Sequence, residues 1–241
     1  RTAVETYLAA LTQLDSGKSR VVVGYAEIGF GRDTNVLGQT SNKIVSIANS
    51  QSINLSASDL KRADNYLSYG VGAELIETLG EGLGAYVGGD LRGREYNKID
   101  PADNYSADAR IGLQYATGNH LWRGGLTRGR YVLDNTSTRD STGANLDWRY
   151  LLDGQNQITI GGMAQALRYL PTISTGEDFN LYMINAGWTH AFAPTTVGVL
   201  TLTGGAEDAK AGRADGDKTF WGVRATLQHS FSSNLGTFFT A

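Results

Sequence analysis

From Arg20 almost to its last residue this chain alternates apolar and polar positions with a period of two, and so long an alternation suits strands with two unlike faces. In the stretch from Arg20 to Val36, Val22, Gly24, Ala26, Ile28 and Phe30 share one face, while Val23, Tyr25, Glu27, Gly29 and Gly31 share the other. The division recurs down the chain. Leu67, Tyr69, Val71, Ala73 and Leu75 oppose Ser68, Gly70, Gly72 and Glu74; Leu83, Ala85, Val87 and Leu91 oppose Gly84, Tyr86, Asp90 and Arg92. Ala107, Ala109, Ile111, Leu113 and Tyr115 oppose Asp108, Arg110, Gly112 and Gln114; Leu146, Trp148 and Tyr150 oppose Asn145, Asp147 and Arg149. Trp221, Val223, Ala225 and Leu227 oppose Gly222, Arg224, Thr226 and Gln228. Trp122 and Leu126 are out of phase with Tyr131 and Leu133, which predicts a bulge near Gly124 to Gly129.

Composition narrows what such strands can build. The 241 residues include 31 glycines but only 3 prolines, a balance that suits long uninterrupted strands. No window approaches the roughly 20 apolar residues of a transmembrane helix. Membrane-spanning strands alternate and average out, so the mean hydropathy of -0.26 does not argue against a membrane. Cysteine is absent, which removes disulfides, thiolate metal sites and cysteine nucleophiles together. A net charge of -3 provides no global basic field for nucleic acid. The chain starts at Arg1 without a signal peptide and reads as a mature or trimmed segment.

The candidate strands number about eleven, each of the length a tilted membrane-spanning strand needs. Their connections alternate. Long polar segments, Asp33 to Arg62, Asn97 to Asn104, Asp134 to Ser141, Pro171 to Asp178 and Glu207 to Asp217, are interleaved with tight turns at Glu77 to Glu81, Thr117 to Asn119, Asp153 to Gln155 and Ala193 to Thr195. Short turns on one side and long loops on the other are the habit of a bacterial outer-membrane barrel. Tyr66, Tyr105, Tyr115, Trp122, Tyr131, Tyr150, Tyr182, Trp188 and Trp221 lie toward strand ends, as girdles at two lipid interfaces would. Before the strands, Val4, Tyr7, Leu8, Leu11 and Leu14 recur at helical spacing and Ser16-Gly17 follows as a stop.

The expected fold is therefore all-β, a transmembrane antiparallel up-and-down β-barrel over residues 18–241, preceded by a short periplasmic α-helix over residues 1–17. Parity bears on completeness. A barrel with an even number of strands and a periplasmic start must end in the periplasm, whereas a strand over Leu235 to Thr240 would end outward. The expectation is about 12 to 16 strands, with at least one absent from this segment.

At the end of the first strand, Gly31-Arg32-Asp33-Thr34-Asn35-Val36 resembles the Gly-x-Asp-Ser-Asn-Val signature of outer-membrane proteins that carry periplasmic tetratricopeptide repeats, with Thr34 in place of serine. The chain is in this respect similar to the surface lipoprotein assembly modifier family. The resemblance rests on Gly31, Asp33, Asn35 and Val36 together with the preceding helix and strand. It implies a helical-repeat domain or partner in the periplasm and a barrel that moves a protein or polysaccharide to the cell surface; no catalytic residue carries over. The residues themselves also admit a local reading, because Asp33 and Asn35 are good turn residues that can bond their own backbone.

The polar face supplies the candidate site. Glu27, Glu74, Asp90, Asp108 and Asp147 share it with Arg92, Arg94, Arg110, Arg123, Arg128, Arg130, Arg149 and Arg224, a modest excess of positive charge. Two readings are open: a cationic lumen that favours anions, or a self-paired ladder that stiffens the wall. Glycines such as Gly70, Gly72, Gly84, Gly88, Gly161 and Gly162 leave room on the strands for cargo or for side chains opposite. His120, His190 and His229 all map to the short-turn ends of strands, and no histidine, serine and carboxylate set suggests a hydrolase. Asp134 to Asp140 and Glu207 to Asp217 are acidic but lack the spacing of a known calcium loop. The readings carried forward are an export or surface-display pore, a general or anion-preferring diffusion porin, and a structural or adhesive barrel with a filled lumen. All are non-enzymatic and need no cofactor or metal; their partners are outer-membrane lipid and cargo, with no nucleic acid.

Overall fold

The computed structural model describes residues 20–47, 51–56, 60–170, 177–210, 213, 215–231 and 236–240. The helix expected over residues 1–17 lies outside the described residues. The strands are β1 (Arg20–Asp33), β2 (Ile44–Ile47), β3 (Gln51–Asn54), β4 (Asp64–Thr78), β5 (Leu83–Tyr96), β6 (Asn104–Thr117), β7 (His120–Leu133), β8 (Thr136–Leu151), β9 (Asn156–Tyr169), β10 (Phe179–Ala193), β11 (Thr196–Ala209), β12 (Lys218–Ser230) and β13 (Gly236–Thr240). Eleven of them form one sheet in the order β1-β4-β5-β6-β7-β8-β9-β10-β11-β12-β13, and β2 and β3 pair separately within the first long connection. Each pair in the large sheet is antiparallel, so the topology is an up-and-down meander.

The alternation read from the sequence survives as register. Val22 pairs with Leu75 and Ile28 with Tyr69 on one face, while Tyr25 pairs with Gly72 and Glu27 with Gly70 on the other. A 14-residue strand such as β6 is about 46 Å long at 3.3 Å per residue. Tilted by 35–45°, it stands about 35 Å tall, more than the roughly 25 Å of a barrel's apolar band, so both ends reach beyond it.

Two expectations are corrected. The β7–β8 connection is not a long loop over Asp134 to Ser141; it is a turn through Asp134 and Asn135, whose φ angles of 48° and 57° are both left-handed. That is the backbone of the tight hairpin turn favoured by Asx residues, and Thr136 to Ser141 continue as strand despite their polarity. Nor is there a bulge at Gly124 to Gly129, where pairing is continuous on both sides; the irregularity falls between Tyr131 and Val132. Trp122 and Leu126 simply occupy the opposite face from Tyr131, so no register break is required. The remaining long and short connections alternate as expected.

Burial is inverted relative to a water-soluble domain. Among the described residues only nine apolar side chains are buried, whereas Ile28, Val71, Ile111, Leu126, Ile184 and Trp221 are all more than half exposed on one continuous face. The small buried cluster of Val21, Ile76 and Tyr86, with Val23 packed against it, sits on the other face near the short turns.

The meander leaves β1 and β13 as its edges, and no pairing between them occurs among the described residues. With an odd count these two strands run in the same direction. Direct closure would therefore be a parallel pair, and an antiparallel seam would need one further strand.

Candidate functional site

A cavity of about 500 Å³ is lined by residues from β1, β4, β5, β6, β7, β8 and β9, including Glu27, Arg92, Arg94, Ser106, Arg139 and Gln165. One cavity bounded by so many consecutive strands means that the sheet curls, with its polar face inside and its apolar face outside. On that inner face the charges divide by height.

Toward the short turns they form a closed ladder. Glu74 on β4 accepts from Arg110 Nε on β6 at 2.7 Å and from Arg123 on β7 at 2.6 Å, and Arg110 also bonds Asp90 on β5. Asp90 accepts from the Tyr25 hydroxyl at 2.8 Å, which itself accepts from Arg92 Nε at 3.1 Å. Arg123 lies 3.7 Å over the Tyr86 ring. Two guanidiniums, Arg110 and Arg123, thus meet two carboxylates, Glu74 and Asp90.

Glycine makes this ladder possible. A Cβ at Gly70 would stand 2.6 Å from Glu27 Oε1, one at Gly125 would strike the Tyr86 hydroxyl, and one at Gly72 would strike Tyr25 and Asp90. Gly84, Gly88 and Gly161 are likewise faced by Gln114, by Glu74 and Arg110, and by Asp147 and Asn185. The space at these glycines is taken by side chains of neighbouring strands. Gly162 pairs with Leu146 and Ile184 and belongs to the outer face.

Toward the long loops the inner face opens into a vestibule. Arg94 lies 4.2 Å over Tyr66, Arg139 lies 5.4 Å over Tyr131 and 5.7 Å over Tyr169, and Arg92 lies 5.7 Å over Tyr25. Tyrosine rings and hydroxyls together fix these guanidiniums at the cavity wall, with Arg92 Nε donating to Tyr25 at 3.1 Å, Arg94 Nη1 to Tyr96 at 3.4 Å and Arg139 Nη1 to Tyr169 at 3.5 Å. Of the carboxylates lining it, Glu27 is 3.9 Å from Arg92, and Asp108 lies against Gly129. Arg139 joins the site because Thr136 to Ser141 are strand and not the loop expected from their polarity. The inner face of β9 to β11 is different in kind: Gln157, Thr159, Asn185, Thr189, Thr201 and Thr203 share it with Met163, Leu181, Met183 and Val199, and the charged Glu207 stands only at its long-loop end.

Register places Glu27, Glu74, Asp90, Arg92, Arg94, Asp108, Arg110, Arg123, Asp147, Arg149 and Arg224 on the inner face. Asp147 is bonded by Asn145 at 3.0 Å. Arg128 and Arg130 do not join them. They pair with Ala109 and Ala107, which puts the side chains of both on the outer face beside Leu126, where Asp140 binds them, although Arg130 also contributes to the wall of the cavity. The expected cationic excess of the interior shrinks accordingly.

The outer face carries aromatic groups at both rims. At the short-turn rim His120 stacks with Trp148 and Tyr150, Trp122 packs on Trp148, Trp188 and His190 pack together, and His190 and His229 meet Phe192 and Phe231 edge-on. Tyr105, Tyr182 and Trp221 mark the other rim. Tyr66 and Tyr131, also expected in a girdle, point inward instead, beneath Arg94 and Arg139. Tyr105 and Tyr115 are ten residues apart on β6, as are Tyr182 and Phe192 on β10. That spacing is about 33 Å along a strand, or about 25 Å of height when tilted.

The motif after β1 has a visible structural role. Asp33 Oδ1 accepts the Asn35 N–H at 2.8 Å, and the Asn35 amide closes on Gln39 through two bonds of 2.9 and 3.0 Å. In the β11–β12 connection, Glu207 and Asp215 are bound by Arg213, and Asp208 by Lys210. Contacts with Lys218 and Arg213 hold the Asp215 carboxyl below the usual range. Among the described residues no three histidine, aspartate or glutamate side chains converge as a metal site.

No protein family matches the chain by sequence, and no curated protein matches it. Solved structures with a similar course include in-vitro folded OmpT, an outer membrane protein of Vibrio cholerae, at 10% identity and TM-score 0.44, covering 92% of this chain and 80% of that one. The loop L8 deletion mutant of the same protein aligns at 11% identity and TM-score 0.45, over 94% of this chain and 82% of that one. At such values the likeness assigns no function.

Proposed function

We propose that this chain forms the wall of a β-barrel in a bacterial outer membrane and that its interior passes small polar solutes. The observation that carries the reading is the sheet's two-sidedness: an apolar outer band between two aromatic rims, and an inner face of paired charges and polar groups. An exposed apolar surface spanning every strand is untenable in water and is satisfied by hydrocarbon. Long loops then face outward and short turns face the periplasm.

Within the lumen the ladder braces β1 and β4 to β7, whereas the middle of β9 to β11 carries no charged side chain on the inner face and is bordered by Arg224 of β12 and by Glu207 at its long-loop end. The vestibule's three stacked arginines raise the local concentration of anions at the mouth. The export reading draws on the resemblance at Gly31 to Val36, but Asp33 and Asn35 are engaged in closing the loop at the strand end. The diffusion reading is preferred for that reason, and no catalytic step is part of it.

Planar-bilayer recording of the purified chain tests the proposal. Steady stepwise conductance is expected, and under a salt gradient the triple variant Arg92→Glu/Arg94→Glu/Arg139→Glu shifts the reversal potential toward cations. A membrane-inserted but silent protein would count against a diffusion role and favour a filled structural barrel.

A further inference from the structure

The outer face carries charge where a lipid-facing wall should carry none. Asp140 on β8, with only 15% of its side chain exposed, accepts from Arg128 Nη2 at 2.8 Å, from Arg130 Nε at 2.8 Å and from Arg130 Nη2 at 3.1 Å. Arg128 also bonds the Thr142 hydroxyl. One carboxylate thus holds two guanidiniums side by side, and their side chains remain 60% and 54% exposed. On β9, Arg168 occupies the same face opposite Asp140. It is anchored to the carbonyls of Leu167 and Phe179, each at 2.9 Å, and to Asn180 Oδ1 at 2.7 Å, with Asp178 at 3.9 Å.

The position of this cluster is as specific as its chemistry. Arg130 lies one same-face pair inside Tyr105, and the row of Arg128, Thr142 and Asn180 lies one same-face pair outside that of Leu126, Ala144 and Tyr182. The arginines therefore sit within the aromatic rim on the long-loop side, directly above the apolar band. Hydrocarbon offers a guanidinium nothing, whereas a phosphate accepts two parallel N–H groups from it.

We propose that Arg128 and Arg130, flanked by Arg168, are a docking site for the phosphorylated headgroup of an outer-leaflet glycolipid. The inference rests on the membrane reading above. Asp140 fixes the geometry and leaves one positive charge uncompensated in the Arg128–Asp140–Arg130 group, and the lipid phosphate supplies its counterion. The acyl chains then lie against Leu126 and Ala144, so the headgroup arrives tethered at high effective concentration. The site is open and unwalled, so free phosphate gains no comparable enclosure.

The test uses the full chain in vesicles containing diphosphoryl lipid A or its dephosphorylated form, with bound lipid counted by native mass spectrometry. Retention of the diphosphoryl form is expected, and Arg128→Gln/Arg130→Gln weakens it by about tenfold per guanidinium lost. Arg128→Lys/Arg130→Lys, which keeps the charge, falls between. Arg20→Gln, on the same face at the opposite rim, leaves retention unchanged. Equal retention of the two lipid forms, equal loss from Arg20→Gln, or displacement by inorganic phosphate at the lipid's own concentration would overturn the proposal. Failure to insert into either vesicle would instead remove the membrane reading beneath it.

Discussion

At the scale of single residues, the inner face is a set of side chains that fit only because their neighbours are glycine. Tyr86 lies over the strand positions of Gly112 and Gly125 and supports Arg123. Gly125→Val is expected to displace that ring and lower stability by about 1–3 kcal/mol, read from denaturant midpoints. Arg110 sits between Glu74 and Asp90 and stabilises both carboxylates. Arg110→Met leaves two like charges facing each other and is expected to cost about 1–3 kcal/mol. Adding Asp90→Asn to that variant should recover part of the loss, because Arg123 still neutralises Glu74 and the unpaired charge is that of Asp90.

At the scale of strands and turns, conformation is set by a few side chains at the ends. Asn135 is left-handed at φ 57°, so Asn135→Val should destabilise the β7–β8 hairpin by about 1–2 kcal/mol while Asn135→Gly is tolerated. In the β8–β9 turn, Asp153 Oδ1 accepts the N–H groups of Gln155 and Asn156 at 2.7 and 2.8 Å, and the Asn156 side chain also bonds this carboxylate. The Gln155 bond, ahead of the Asn156 side chain, holds the Asp153 carboxyl below the usual range. Its contribution is therefore full above the ordinary aspartate pKa and is lost as pH falls through the lowered value. Thermal melts across that window should show a slope that Asp153→Asn removes. The strands were legible in the sequence because their side-chain period is two and each face keeps one polarity over many residues. The Asp134–Asn135 turn was not, because the Thr-Ser-Thr-Arg-Asp-Ser run after it looks like loop, and polarity alone does not separate a loop from a strand that extends past the apolar band. Arg139 lies within that run and is obscured with it. Arg128 and Arg130 carry the charge expected of the interior, yet they share parity with Leu126 and so face outward.

At the scale of the whole molecule, the sheet separates two solvents, and the identity of the outer one decides everything else. All four tryptophans of the sequence, Trp122, Trp148, Trp188 and Trp221, lie on the outer face, three at the short-turn rim and one at the long-loop rim. Trp221 is 83% exposed. Intrinsic fluorescence therefore reports on the outer face alone. The most direct measurement is tryptophan quenching in vesicles whose lipids carry bromine at graded depths on the acyl chains. The two-sided barrel predicts strong quenching by bromines near the headgroup, weaker quenching by those at the bilayer centre, and little effect of an aqueous quencher. Emission quenched by aqueous iodide and indifferent to lipid bromine would contradict it, and would mean that the apolar face is covered by protein.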